Sequence, residues 1–310
     1  AFANDTGAGY FDLRGTLNVT RPVGGESWDM ATVENLNWTR KGNITGVNLY
    51  YSYNNGTDWT TLATGLDGST LGWQWNITNA TTLTTQGKIK VADSSRSDTI
   101  LAISSGTFGI KGRVQVLTPS DSGVVLTYGS APYNITWARF GAIDTVQLRY
   151  SVDGGLTWPN LTIIDAGVNA TSGTPYPWTV PDAIGTNLTI KVTDENNLAV
   201  NDTSNYTFAI KGAMQVLQPD GGQSWLKGTL QEITWRPTGS YPGNVQIQYS
   251  NDSGSTWNNI ATQAAGVDNV NQSYNWTIPD DIGANTSVRV ITLTGNASIE
   301  VNDTSNATFK

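Results

Sequence analysis

The stretch Thr207-Phe208-Ala209-Ile210-Lys211-Gly212 decides the fold, because it ends one copy of a sequence repeat. Thr107-Phe108-Gly109-Ile110-Lys111-Gly112 is the preceding copy, 100 residues earlier, and Thr308-Phe309-Lys310 begins a third. Phe and Ile stand two residues apart in both longer copies, so they face the same side of an extended strand. We interpret each copy as the strand that closes one structural repeat.

Between these closing strands, apolar and polar residues alternate with a period of two, and turn residues separate the alternating segments. Strands are predicted at residues 17–19, 47–51 and 89–91, at 114–117, 146–150 and 188–192, and at 214–217, 245–249 and 288–290. No segment has a sustained helical period, and the pattern is typical of a β-sandwich. The sequence therefore predicts an all-β chain of three tandem immunoglobulin-like β-sandwich domains preceded by an extra N-terminal β-strand, with the strand at 1–15 and the domains at 16–112, 113–212 and 213–310.

The composition of the 310 residues excludes several classes of function. The chain has no Cys and no His, which removes thiol and imidazole nucleophiles, the Ser-His-Asp triad and most zinc sites. A net charge of −8 argues against nucleic acid as a partner, and no apolar run is long enough to span a membrane. We expect no enzyme activity, no cofactor other than covalent glycans, and an extracellular or cell-surface location.

Two segments match the Asp-box pattern of sialidase-type propellers, namely Ser151-Val152-Asp153-Gly154-Gly155-Leu156-Thr157-Trp158 and residues 250–257. Residues 52–59 are a weaker copy. The Asp can bond turn amides and the Gly can take a positive φ, so a structural hairpin is expected. Sialidase chemistry would also need an arginine cluster and a Tyr/Glu pair, which the repeats do not supply. The Trp residues could stack on sugars or pack in the core; their recurrence in all copies favours packing.

Two further kinds of site are weighed and set aside. Asp194-Glu195-Asn196-Asn197 and the recurring Asn-Asp-Thr motifs could hold calcium, but no 12-residue calcium loop exists, and ordinary turns are expected. A catalytic carboxylate pair, as in glycosidases, would draw on Glu, which is rare and does not recur between copies. The five Glu residues are Glu26, Glu34, Glu195, Glu232 and Glu300.

Asn-x-Ser/Thr sequons are the most abundant motif of the chain. Twenty occur among 29 Asn residues, whereas the Ser and Thr content would give about 6 by chance. This density indicates a glycan coat, although a Thr-rich β-surface could produce sequons as a by-product. The predicted glycosylation sites are Asn4, Asn18, Asn37, Asn43, Asn55, Asn76, Asn79, Asn134, Asn160, Asn169, Asn187, Asn201, Asn205, Asn251, Asn271, Asn275, Asn285, Asn296, Asn302 and Asn306.

The repeat text resembles a known family. Its best matches are Pro219, Trp225, Gly228, Ile233-Thr234-Trp235 and the residues 249–257 and 274–279. Together these resemble the Ser/Thr-rich, yeast cell-wall-synthesis-like Ig repeat of microbial surface proteins, over nearly all of residues 16–310. The resemblance implies an Ig-like fold and a cell-surface role, with no catalytic residues to carry over. The second copy departs from it at residues 124–128.

Residues 4–15 align without a gap to residues 201–212, so the chain opens with a closing strand that precedes the first domain. Phe11 and Leu13 provide the two-apart apolar pair, and Gly15 matches Gly212. Such an extra strand on Ig modules also looks like a subunit of extracellular filaments assembled by strand donation. We expect Tyr10, Phe11, Leu13, Gly15 and Phe309 to take part in subunit assembly, with residues 4–15 pairing with the third domain of the next copy.

The expected function is a structural subunit of a glycosylated extracellular, pilus-like filament whose partner is itself, head to tail. A cell-surface adhesin or carbohydrate-binding stalk is the alternative, and an ancillary rod of a larger secreted enzyme is a third possibility. The sequence alone also leaves open that the chain is a segment of a longer repeat protein.

Overall fold

The computed structural model describes residues 14–79, 81–171, 174–280 and 283–310, and their regular structure is β-strand apart from one 3₁₀ turn, Asn160–Thr162. The predicted all-β class is confirmed. Across the described ranges there is no helix long and apolar enough to cross a bilayer. The predicted extra strand lies outside the described residues as far as Leu13, and with it lie Asn4, Tyr10 and Phe11.

The first sandwich pairs two sheets. One sheet has the order β1-β3-β6, and the other has the order β2-β9-β7-β4-β5 with β8 added beside β7. The strands are β1 Thr16–Arg21, β2 Ser27–Asp29, β3 Val33–Lys41, β4 Gly46–Ser52, β5 Thr60–Asp67, β6 Gly72–Asn76, β7 Thr84–Asp93, β8 Leu101–Ile103 and β9 Phe108–Lys111.

The second sandwich repeats this arrangement, with one sheet in the order β10-β12-β15 and the other in the order β11-β18-β16-β13-β14, where β17 pairs with β16. Its strands are β10 Arg113–Thr118, β11 Val125–Thr127, β12 Tyr133–Phe140, β13 Thr145–Ser151, β14 Ile163–Asn169, β15 Tyr176–Trp178, β16 Gly185–Asp194, β17 Asn201–Thr203 and β18 Phe208–Lys211.

The third sandwich combines a sheet of order β19-β20-β23 with a sheet of order β22-β21-β24-β25. Its strands are β19 Ala213–Gln218, β20 Leu230–Thr238, β21 Asn244–Ser250, β22 Asn258–Ala264, β23 Gln272–Thr277, β24 Ser287–Leu293 and β25 Asn302–Thr304. By compactness the chain separates into residues 1–114 with 139–144 and residues 115–138 with 145–310. The predicted boundaries after Gly112 and Gly212 remain a prediction.

The core of each sandwich is built from the residues that the alternation places inward. Trp38, Trp137 and Trp235 are all at most 2% exposed, and each alternates with an exposed or half-buried neighbour on its strand. The Trp75 ring meets Phe108 edge to face, with centroids 6.3 Å apart. Core packing is therefore confirmed for these Trp residues, since burial of such large apolar rings is a dominant stabilising term.

The closing strands complete one sheet by pairing on both sides. β9 runs parallel to β2 and antiparallel to β7, and β18 does the same with β11 and β16. Phe208 and Ile210 are 1% and 0% exposed, so the predicted two-apart pair does fill the core. Each closing strand thus links an early and a late part of its sandwich.

The two described Asn-Asp-Thr motifs, at 201–203 and 302–304, are short strands, so the expectation of ordinary turns is wrong for them. The reason is pairing: β17 extends the sheet beside β16, and β25 does so beside β24. From there the Asp202 carboxylate accepts a hydrogen bond from the Val116 amide at 2.8 Å, in the opposite sheet. Asp303 bonds the Val216 amide in the same way at 2.7 Å.

We predict that Asp202→Ala destabilises the second sandwich by about 1–3 kcal/mol, because it leaves the buried Val116 amide without its acceptor. Amide hydrogen exchange at Val116 and urea unfolding measure the effect. Asp202→Asn retains a side-chain oxygen and is the matched control, expected to lose less. Unchanged exchange at Val116 in the Ala variant would contradict this role of the carboxylate.

Candidate functional site

Three glycines each directly precede the first strand of a sandwich, and two of them, Gly112 and Gly212, follow a closing strand. Gly112 lies between β9 and β10, Gly212 lies between β18 and β19, and Gly15 directly precedes β1. A Cβ on Gly15 would lie 2.9 Å from both the Lys41 carbonyl oxygen and Ile44. A Cβ on Gly112 would lie 3.2 Å from the Phe140 carbonyl oxygen and 3.0 Å from Ile143. A Cβ on Gly212 would lie 1.9 Å from the Thr238 carbonyl oxygen and 2.9 Å from the Tyr241 hydroxyl. None of the three positions accommodates a side chain without a shift of its surroundings.

The passage from the second to the third sandwich is fixed by side chains as well as by Gly212. The Asp182 carboxylate accepts from the Ser240 amide at 2.9 and 3.0 Å. The Tyr128 hydroxyl donates to Asp268 at 3.0 Å, and the Gly239 amide donates to the same carboxylate at 2.6 Å. The bond to Asp268 raises the pKa of the Tyr128 hydroxyl. These contacts, all within one compact unit, restrict this joint.

The compact unit that holds the first sandwich also holds residues 139–144, and the same positions make contact there. The Gly141 amide donates to Asn79 Oδ1 at 3.2 Å. A Cβ on Gly141 would lie 3.2 Å from Met30 and 3.3 Å from Leu83. Asn79 thus accepts an amide of the same loop that Asp182 bonds one repeat later, but at Gly141, the counterpart of Gly239, and not at the counterpart of Ser240.

Phe309, a predicted assembly residue, is 1% exposed in the core of its own sandwich. Its ring centroid is 4.8 Å from that of Trp225, and it bridges antiparallel to Thr286. The Lys310 amide donates to the Gln223 oxygen at 3.0 Å, and the Trp225 amide donates to the Lys310 oxygen at 2.6 Å. Residues 309–310 therefore pair with an early and a late segment of their sandwich, as β9 and β18 do.

The surroundings of Trp225 are more open than those of its counterpart. Trp28, in register with Ile110 on β9, is 4% exposed, whereas Trp225 is half-buried. Leu226 and Leu230 nearby are 72% and 63% exposed. Leu230 corresponds to Val33, which is itself 57% exposed, so Trp225 is the position at which this edge is less covered than in the first sandwich.

The described sequon asparagines all reach the surface. Asn251 is half-buried, and the others are exposed: Asn18, Asn37, Asn43, Asn55, Asn76, Asn79, Asn134, Asn160, Asn169, Asn187, Asn201, Asn205, Asn271, Asn275, Asn285, Asn296, Asn302 and Asn306. Strand alternation produces this, since Asn37 and Asn275 directly precede the buried Trp38 and Trp276. Every described sequon is thus sterically able to carry a glycan.

The Asp-box segments form hydrogen-bonded hairpin turns. Asp252 Oδ1 accepts from the Ser250 hydroxyl at 2.7 Å and from the Thr256 amide at 2.8 Å, while Thr256 Oγ1 donates to Oδ2 at 2.7 Å. Gly254 has a φ of +89°, as the turn requires. The Thr256 amide and the Ser250 and Thr256 hydroxyls lower the pKa of Asp252 to about 2.

The first sandwich makes the same turn with reversed polarity. Asn54 takes the place of the Asp, and its Nδ2 donates to Asp58 at 2.8 Å, where the other copies have Thr. Asn54 Oδ1 still accepts the Asp58 amide at 2.9 Å. A carboxylate at both positions would repel, so the amide at position 54 follows from the acid at position 58.

Each hairpin Trp lies under a cation. The Arg289 guanidinium is 4.2 Å from the Trp257 ring centroid, and the Lys191 ammonium is 4.2 Å from the Trp158 centroid. Lys90 covers Trp59 at 4.6 Å. Because a cation occupies one ring face, stacking with a sugar on that face would require its displacement. The alternation of apolar and polar residues does not predict this pairing, because the cations lie on strands distant in the sequence.

The acidic residues considered for a calcium site or a catalytic pair make local hydrogen bonds and ion pairs. Asp194 Oδ1 accepts from the Asn196 amide at 2.9 Å, as in a turn. Within the described ranges, no group of three or more Asp, Glu, His or Cys side chains is placed to hold a metal ion. Glu26 bonds the Val23 and Gly24 amides, and Glu34 pairs with Arg21 at 2.8 Å. These acids have structural partners.

Comparison with known proteins supports an Ig-type repeat. Residues 218–305 match the family described as Kre9/KNH-like N-terminal Ig-like domain. The match supports, for the third repeat, the resemblance to the yeast cell-wall-synthesis-like Ig family, and it is consistent with a cell-surface Ig-repeat protein. A comparison with curated proteins finds no match.

Similar solved structures include the fibronectin(III)-like modules of Clostridium thermocellum CbhA, at 16% identity and a TM-score of 0.24, covering 64% of this chain and 95% of that one. A Dscam isoform structure is similar at 10% identity and a TM-score of 0.33, covering 98% and 73%. Dpr2 Ig1-Ig2 in complex with DIP-Theta Ig1-Ig3 gives 9% and 0.27, covering 95% and 99%. The fold assignment rests on the strand pairing rather than on these low TM-scores.

We predict that the two acidic hairpins lose stability as the pH falls from about 4 to about 2. The folded pKa values of Asp153 and Asp252 are about 2, below the ordinary value of 3.8, so their contribution is present above pH 3.8 and is lost as the pH falls through 2. The variant D153N/D252N should show a flatter dependence of the unfolding free energy on pH in this window. Denaturant unfolding at several pH values measures it.

The control variant D98N/D121N removes two exposed carboxylates outside the hairpins and has the same net charge. An equal flattening in this control would mean that net charge, and not the hairpin bonds, causes the effect.

Proposed function

We propose that this chain is a structural subunit of a glycosylated, extracellular, pilus-like filament in which copies join head to tail. The observation that supports this most directly is Gly15. Its surroundings match those of Gly112 and Gly212, the two glycines through which a closing strand enters the next sandwich. The segment before Gly15 has the sequence of a closing strand. We therefore infer that it completes a sandwich other than the three in its own copy.

The third sandwich of a neighbouring copy is the proposed acceptor. Phe309 already occupies the Phe position there, so Phe11 would have to exchange with residues 308–310. That segment is held by the bridge to Thr286 and by backbone hydrogen bonds to residues 222–225. A donor strand that adds Leu13 beside Trp225 would cover apolar surface and extend the ladder, which favours exchange. The contact is head to tail and does not close, so it propagates.

The alternative of an adhesin or carbohydrate-binding stalk has one observation in its favour. A groove of about 350 Å³ in the second sandwich is lined by aromatic and apolar residues that include Tyr150, Tyr176 and Trp178. Leu161 at its rim is 94% exposed. Such a groove could hold a ligand, and a stalk would not need the strand at residues 4–15.

We predict that F11D/L13D, like deletion of residues 1–14, leaves folded monomers that no longer assemble. Charged side chains cannot enter the apolar positions that Phe208 and Ile210 occupy in the second sandwich. Electron microscopy and analytical ultracentrifugation measure assembly, and circular dichroism checks the fold. A8D is the matched control, because Ala8 aligns with the exposed Asn205 and should tolerate the charge.

Undiminished filaments from F11D/L13D would refute strand donation. A wild-type chain that stays monomeric at all concentrations would refute the filament and favour the stalk, or a strand that closes a sandwich within a longer chain.

We also predict N-linked glycans on the exposed sequons of the protein isolated from its native source. The glycans would shield β6, β23 and β25, which carry Asn76, Asn275 and Asn302, lie at the edges of their sheets and would otherwise invite lateral pairing. Intact-mass measurement before and after enzymatic deglycosylation tests this. A native mass equal to the bare 33.2 kDa polypeptide would contradict it.

A further inference from the structure

A loop of the first sandwich has the same backbone conformation as the loops of the second and third sandwiches that contact the preceding sandwich. Gly42, Gly141 and Gly239 each lie four residues after a core Trp and have φ values of +80°, +87° and +101°. A Cβ on Gly141 would meet Met30 and Leu83, and a Cβ on Gly239 would meet Ile184 and Tyr128. Gly42 has the same backbone conformation, and among the described residues a Cβ there would come within 4 Å of Gly15 alone.

The residue after Gly42 is Asn43, which holds the place of Ser240. In the second compact unit the Ser240 amide is the donor to Asp182. Asn43 and Gly42 are both exposed, and beside them opens a cavity of about 660 Å³ lined by residues that include Arg14, Asp93 and Arg96. This receiving end therefore presents a backbone amide position and basic side chains.

The third sandwich carries the matching acceptor. Asn79 and Asp182 each lie two residues after a buried core residue, Ile77 and Val180, and Asp280 lies two residues after the buried Ile278. The Asp280 side chain is 75% exposed and forms an ion pair with Lys227. Asp280 thus holds the position from which Asn79 and Asp182 each accept a loop amide of the next sandwich.

The charges of the two ends are complementary. Arg14, Lys41 and Arg96 are exposed at the receiving end, where Arg40 also lies, its guanidinium bonded to the Ile44 carbonyl oxygen. At the other end Asp280 is followed in the sequence by a second acid, Asp281. Opposite charges at the two ends favour encounter of unlike ends and disfavour like ends.

We propose that the Asp280 end of one copy docks on the Gly42–Asn43 end of a second copy, with the Asp280 carboxylate accepting from the Asn43 amide as Asp182 accepts from Ser240. This inference rests on the proposed head-to-tail function and names the surfaces that meet beside the donated strand. It requires Asn43 to remain without a glycan in the assembled form, because a glycan there would separate the two surfaces, so the glycans predicted above lie on the other exposed sequons.

Single-cysteine variants test the contact, because the chain has no cysteine of its own. N43C and D280C, mixed in equal amounts with a short thiol-reactive cross-linker, should give a covalent dimer. N43C mixed with N134C is the matched control, since Asn134 is exposed on a strand of the second sandwich, and only collisional background is expected.

Analytical ultracentrifugation measures how much the Asp280 contact contributes to the affinity between copies. D280A should raise the apparent dissociation constant of assembly about tenfold, the effect of losing one charge-assisted hydrogen bond, and D280N should lie between D280A and wild type. D121A removes an exposed acid on the second sandwich and should assemble like wild type.

The outcomes separate the two proposals. If wild type assembles but N43C and D280C do not cross-link above the control, or D280A assembles normally, the docking inference is overturned while the filament stands. If wild type does not assemble, both are overturned. A glycopeptide showing Asn43 occupied in isolated filaments would also overturn the docking contact.

Discussion

The structure depends on the closing strand and on the glycine that follows it. Phe208 and Ile210 fill the core while the backbone around them pairs with both β11 and β16, so one short strand holds the two ends of the sandwich sequence together. The chain then turns at Gly212, where the Thr238 carbonyl oxygen leaves no room for a side chain. Because the buried strand β18 precedes Gly212 and strand β19 follows it, few backbone conformations are open to this glycine.

This constraint makes the joint between the second and third sandwiches part of the fold. The strand that completes one sandwich is covalently continuous with the strand that opens the next, so both must be in place together. Asp182 and Asp268 then bond the amides of Ser240 and Gly239, the loop that flanks the glycine. An amide that would be left without a partner at such a site destabilises it, which is why acidic side chains stand there.

The remaining polar chemistry also serves the backbone. Asp202 bridges the two sheets, Asp252 holds a hairpin turn, and Arg289 covers the Trp257 ring. Since these side chains are engaged in local structure, they are poor candidates for catalysis or for ligand binding. A surface of exposed asparagines over such a scaffold is consistent with a cell-surface Ig-repeat protein.

The sequence by itself determined the strands, the closing-strand pair, the hairpin turns and the outward asparagines, because each depends on residues that are near neighbours and on a period of two. Only the tertiary structure decided that Asp202 reaches the Val116 amide, that Lys191 covers Trp158 and that Tyr128 bonds Asp268. Those partners lie on strands or loops far apart in sequence, and local alternation carries no information about which distant side chains meet. The equivalence of Asp280 with Asp182 emerged in the same way, once folding had shown what Asp182 binds.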